Sequence, residues 1–129
     1  MGIIMKNKFN KIYKTALWIF ILSLSACKID ALNISDSETI KKWIADGALI
    51  VDVRTPEEFN AGNYKNSINV PLSDIEKNMK IFGDKDRPII VYCRSGRRSS
   101  NAKKILEAHG YTKVLNAGAF SKMPEFPND

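Results

Sequence analysis

One stretch of the chain concentrates reactive and anion-recognising groups: Cys93-Arg94-Ser95-Gly96-Arg97-Arg98-Ser99, set between an apolar run and a helix-forming segment. A thiol is a weak nucleophile and its thiolate a strong one, so the surroundings decide the chemistry. Three features here favour the thiolate. Gly96 lets the backbone curl so that successive N–H groups point inward as an anion nest. The helix that follows offers the positive end of its dipole. Arg94, Arg97 and Arg98 add fixed positive charge. The expectation is a Cys93 with a lowered pKa. Counting the two cysteines alone leaves an inert, buried Cys93 equally open; the neighbours favour the reactive reading.

The elements that must hold this loop read as alternating strands and helices. Residues 28–35 form a tether and a first short strand. Ser35 with Glu38 three places on has the form of a capping box. Ile40, Trp43 and Ile44 share a helical face that Gly47 ends. Ala48 to Val53 is an apolar, branched run that suits a strand buried on both faces. Pro56 opens a short helix carrying Glu57, Glu58 and Phe59. Ser67 to Val70 is a further strand, stopped by Pro71. Ser73 and Glu76 have the spacing of a second capping box. After a polar turn over Gly83–Arg87, Pro88 to Tyr92 is another buried strand. Ser99 to His109 reads as a helix with Ala102, Ile105 and Leu106 inward and Gly110 as its stop. Val114 and Leu115 make the last strand. The expected fold is α/β with a mostly parallel, five-stranded sheet flanked by helices. Ligands in such sheets sit beyond the carboxyl ends of the strands, where Cys93 falls. Trp43 and Phe59 are packing residues, His109 favours a helix end, and Lys41, Lys42, Lys103 and Lys104 lie on solvated faces.

The 129 residues suffice for one domain, and 44% hydrophobic with 26% charged residues excludes a disordered or fibrous chain. The net charge of +6 arises mainly in a leader: Lys6, Lys8, Lys11 and Lys14 have no acid among them. Without those four, 16 basic residues face 14 acidic ones, which argues against a nucleic-acid partner. After the lysines comes the uncharged run Ala16 to Leu24, too short to span a bilayer and shaped like a secretory signal. Leu24-Ser25-Ala26-Cys27 resembles the bacterial lipoprotein signal. The resemblance implies cleavage before Cys27, lipid on its thiol, and a mature chain exported and anchored facing the periplasm or exterior. Residues 1–26 are then the signal, 27–31 a tether and 32–129 the domain. Met1 and Met5 are both possible starts. Lys28 after the Cys leans towards an outer membrane in a cell that has one. An ordinary cleaved signal or an uncleaved anchor is the alternative.

Four pieces in order resemble the rhodanese family, in particular its small exported single-domain members. They are Val51-Asp52-Val53-Arg54-Thr55-Pro56-Glu57-Glu58-Phe59, Ser67-Ile68-Asn69-Val70-Pro71-Leu72, the loop Cys93 to Arg98, and Asn116-Ala117-Gly118-Ala119-Phe120. The resemblance implies a rhodanese-like domain over residues 32–126 and sulfur transfer from thiosulfate or a polysulfide through a Cys93 persulfide. It implies a small anionic sulfur donor, a thiol or cyanide as acceptor, and no metal or organic cofactor. Arg94, Ser95, Gly96, Arg97, Arg98 and Ser99 are the substrate-binding candidates, with Arg98 alternatively turned inward to brace the loop. Asp52, Arg54 and Glu58 are structural supports, Arg54 pairing with Glu58 or Asp52. Cys-dependent phosphatases place an Arg where Ser99 stands, so their chemistry is disfavoured, as is that of arsenate reductases. A dedicated sulfur-carrier module with weak free turnover is the second reading. Oligomeric state stays open. The chain departs from the family after Gly62, where Asn63, Tyr64, Lys65 and Asn66 replace a His and a Pro-Gly pair. That puts the local turn in doubt.

Overall fold

Four strands hydrogen-bond in the order β2-β1-β3-β4, every pair parallel. The structure, a computed structural model, describes residues 34–126. The strands are β1 (Leu49–Asp52), β2 (Ile68–Asn69), β3 (Ile89–Cys93) and β4 (Val114–Ala119). The helices are α1 (Ser37–Ala45), α2 (Pro56–Asn60) and α3 (Arg97–Ala108), with 3₁₀ turns at Leu72–Asp74, Glu76–Phe82 and Phe120–Lys122. The expected α/β sheet is present with four strands among the described residues. Of the anticipated first strand, residues 28–33 lie outside the described residues. Ile34 and Ser35 are not strand, although the Ser35 N–H donates to the Asn116 carbonyl at 2.8 Å.

β3 is buried along its whole length, which only an apolar run can tolerate. Its alternation sorts the core into two faces. Ile89, Val91 and Cys93 join Val51, Phe82, Ala102 and Leu106 on one side. Ile90 and Tyr92 join Ile40, Ile44 and Tyr64 on the other. Cys93 therefore faces α3, not α1. Connections from β1 run to β2 on one side, and those from β3 run through α3 to β4 on the other. β1 and β3 thus flank the point where strand order reverses, the position where such sheets form a crevice.

Several local expectations need correction. Asp36, not Ser35, caps α1: its carboxylate accepts the Thr39 N–H at 2.9 Å and hydroxyl at 2.7 Å, and Glu38 instead meets Lys41 at 3.0 Å. Ser73 and Glu76 form no capping box, because this segment winds as 3₁₀ turns broken at Asn78. That winding buries Ile75 and Phe82 under the sheet, so packing overrides the capping pattern. α3 begins at Arg97, two residues before the expected start, which places Ser99 inside its first turn. β4 runs to Ala119, well past Leu115. Lys103 is mostly covered and reaches Glu107 at 3.8 Å, its stem lying along the protein surface.

Candidate active site

The site starts from the end of β3. Cys93 closes the strand wholly buried, and the next three residues turn back so that α3 begins above its sulfur. Gly96 makes this turn possible with φ +93°, a left-handed conformation costly for other residues. Its N–H donates to the Cys93 Sγ at 3.0 Å, and the Ser99 Oγ lies 3.5 Å from the same sulfur. Burial pushes the thiol pKa up. Hydrogen bonds from the Ser99 hydroxyl and from the Ser99, Ser95 and Gly96 N–H groups outweigh this and bring it below its ordinary value. This is the arrangement expected of a nucleophilic thiolate.

The three loop arginines have different fates. Arg94 and Arg97 are exposed. Arg98 donates from both terminal nitrogens to Glu58, at 2.7 and 2.8 Å. Glu58 also closes a capping box with Thr55 at the start of α2. The Arg98 guanidinium, then the Thr55 N–H, hold the Glu58 carboxyl down at about 2. The pairing offered for Arg54 resolves towards Asp52. Its Nη2 lies 2.6 Å from Oδ2, and both its Nε and backbone N–H donate to Oδ1. The same Nη2 donates to the Gly62 carbonyl at 2.7 Å, and the guanidinium lies over the Phe120 ring at 4.7 Å. Glu58 therefore forms its ion pair with the loop, while Arg54 acts on it only through its charge.

Two open cavities border these residues. One of about 450 Å³ is lined by Arg54, Glu58, Ala61, Arg94, Phe120 and Ser121. Another of about 270 Å³ is lined by Arg54, Thr55, Leu72 and Arg98, among others. Asn116, which the sequence places in the last rhodanese-like piece without a site role, braces the loop. It is wholly buried on β4; its Nδ2 reaches the Gly96 carbonyl at 3.5 Å and its Oδ1 accepts the Gly118 N–H at 2.9 Å. A bulge follows it, since Val91 pairs with Asn116 but Tyr92 with Gly118. The available signal was a polar residue directly after an apolar run and two places before a glycine. The doubtful turn after Gly62 is well formed. Asn66 takes φ +62°, which Asn tolerates better than most residues, and the Tyr64 N–H donates to the Tyr92 hydroxyl at 3.0 Å. Cys27 lies outside the described residues.

Residues 36–122 match the Rhodanese-like domain family. The chain belongs to this family. A protein of Escherichia coli named thiosulfate sulfurtransferase PspE is 41% identical over 69 residues, covering 53% of this chain and 66% of that protein, just under two thirds of its length. A protein of Allochromatium vinosum named sulfurtransferase is 39% identical over 87 residues, 66% of this chain and 80% of that one. A solved E. coli structure described as a rhodanese with anions superposes with a TM-score of 0.57 at 37% identity, covering 60% of this chain and 95% of that one. The human single-domain sulfurtransferase TSTD1 gives 0.64 at 25% identity, covering 70% and 93%. The rhodanese-like domain thus includes every described element that shapes the Cys93 loop.

Proposed function

We propose that this chain is a rhodanese-type sulfurtransferase that carries sulfane sulfur on Cys93. The observation that carries the reading is the buried Cys93 sulfur receiving the Gly96 N–H at 3.0 Å under the first turn of α3. In the first step the Cys93 thiolate attacks the outer sulfur of thiosulfate. The S–S bond of the donor breaks, and sulfite leaves with its electron pair. Cys93 then bears a persulfide, whose terminal charge the loop N–H groups stabilise. A thiol or cyanide attacks that outer sulfur, takes it as a persulfide or as thiocyanate, and releases the Cys93 thiolate. A polysulfide donor reacts in the same way, with a shorter polysulfide leaving. Arg94 and Arg97 bind the anionic donor. Arg98, held by Glu58, shapes the loop. No step calls for a metal or cofactor. The names borne by the relatives support thiosulfate as donor.

The chain is further proposed to be exported and held at a membrane by lipid on Cys27, on the strength of the Leu24-Ser25-Ala26-Cys27 pattern after a basic, apolar leader. A second reading, a carrier that hands sulfur to one dedicated partner, is supported by the name of a Bacillus subtilis relative, putative sulfur carrier protein YrkF, 34% identical over 67 residues.

Intact-mass spectrometry after brief exposure to thiosulfate tests the chemistry. The expected gain is about 32 Da, one sulfur atom, removed by cyanide with thiocyanate formed and absent in Cys93→Ser. No adduct with thiosulfate or polysulfide would sink the transferase reading. Persulfide formation with negligible turnover would favour the carrier. For the anchor, metabolic labelling with a fatty acid should mark the chain, and Cys27→Ser should abolish the label.

A further inference from the structure

The Glu58–Arg98 pair joins two segments forty positions apart. On one side the Glu58 carboxylate is anchored, because it accepts the Thr55 N–H at 3.0 Å while the Thr55 hydroxyl accepts the Glu58 N–H at 3.3 Å. Thr55 follows Arg54, itself clamped to Asp52 at the end of β1. On the other side Arg98 sits between Gly96 and Ser99, the two residues whose groups meet the sulfur. The Glu58 carboxylate foremost, and the Cys93 sulfur after it, favour the charged form of the Arg98 guanidinium. Other charged groups near the loop are Arg94 and Arg97 from the loop itself, the Asp52–Arg54 pair from β1, and Lys122, which shares a cavity lining with Ser95. Of the three loop arginines, Arg98 alone forms a bidentate ion pair among the described residues.

We propose that Glu58 is a positioning residue for the Cys93 loop: from the start of α2 it holds the Arg98 guanidinium, and through it the first turn of α3, whose Gly96 N–H and Ser99 hydroxyl meet the sulfur. This rests on Cys93 being the nucleophile but not on what the nucleophile attacks.

Sign distinguishes this role from a simple charge effect. A carboxylate near a thiolate opposes it, so neutralising Glu58 with Arg98 fixed in place lowers the thiol midpoint. If Glu58 is what holds Arg98, neutralising it releases the guanidinium to solvent and loosens the turn, and the midpoint rises. The test is the pH dependence of Cys93 alkylation by iodoacetamide, followed by intact mass, on Glu58→Gln, Arg98→Gln and the double variant. Glu58→Gln and Arg98→Gln are each expected to raise the midpoint by about one pH unit. The double variant should add nothing to Arg98→Gln. A midpoint that falls or stays put in folded Glu58→Gln overturns the proposal, and so does full additivity in the double variant. Should Glu58→Gln not fold, an unchanged midpoint in Arg98→Gln overturns it equally. The readout is independent of sulfur transfer. A wild-type protein with a low midpoint but no persulfide would therefore count against the proposed function and leave this inference standing.

Discussion

Replacing Ser99 with Ala removes the one side-chain hydroxyl that, among the described residues, reaches the Cys93 sulfur. A hydrogen bond to a charged group is worth about 1.5–3 kcal/mol. This one belongs at or below the lower end, because its 3.5 Å length is long and its single proton is shared with the Gly96 carbonyl at 3.1 Å. About 1.4 kcal/mol corresponds to one pH unit, so the Cys93 midpoint should rise by about one unit. Below both midpoints the thiolate fraction then falls about tenfold, while each remaining thiolate becomes about threefold more nucleophilic as its basicity rises. Alkylation should slow about threefold at low pH and quicken about threefold once both proteins are fully ionised, so the two rate–pH curves cross. The fold should survive, since the Gly96 carbonyl keeps the Ser100 N–H at 3.0 Å and the Asn116 amide. Iodoacetamide alkylation between pH 5 and 10, read by intact mass, gives the midpoint directly. The native thiol pKa lies below that of the unfolded chain. Its contribution to stability is thus fully present above about pH 8.5 and lost as pH falls through the native value. The stability cost of Ser99→Ala should accordingly be larger at pH 9.5 than at pH 5. An unchanged or lowered midpoint would refute the assignment of Ser99 as a donor to the thiolate.

Asp52→Asn leaves the Arg54 charge buried without its carboxylate, and urea denaturation should show a loss of about 3–5 kcal/mol. Asn116→Ala removes the amide that braces Gly96 and Gly118 from β4; a stability loss of about 1–3 kcal/mol should accompany slower alkylation of Cys93. The Glu58 carboxyl titrates at about 2 against an ordinary 4.5, so its stabilising effect is complete above 4.5 and disappears as pH falls towards 2. Melting temperatures of wild type and Glu58→Gln should therefore converge across that window; curves that stay parallel would show that the carboxylate does not stabilise the fold through its charge.

Much of this site was legible in the order of residues because the relevant physics is local. The apolar run ending at Cys93 makes a buried strand by its own periodicity, Gly96 permits the left-handed turn, and Pro56 after Thr55 opens α2 by capping chemistry confined to four residues. Those local rules were enough to set an anion-binding turn directly after a strand and to make the thiolate its natural occupant. Where competing local signals coexisted, packing chose between them. Asp36 won the cap from Ser35, and the burial of Ile75 and Phe82 wound residues 72–82 into 3₁₀ turns despite the Ser73–Glu76 pattern. What the tertiary structure alone decided is partnership across the sheet. Glu58 meets Arg98 and Asn116 meets Gly96 only because β1 and β4 both pair with β3. Charge and polarity in a sequence state that a residue needs a partner; strand order decides which partner comes within hydrogen-bonding distance.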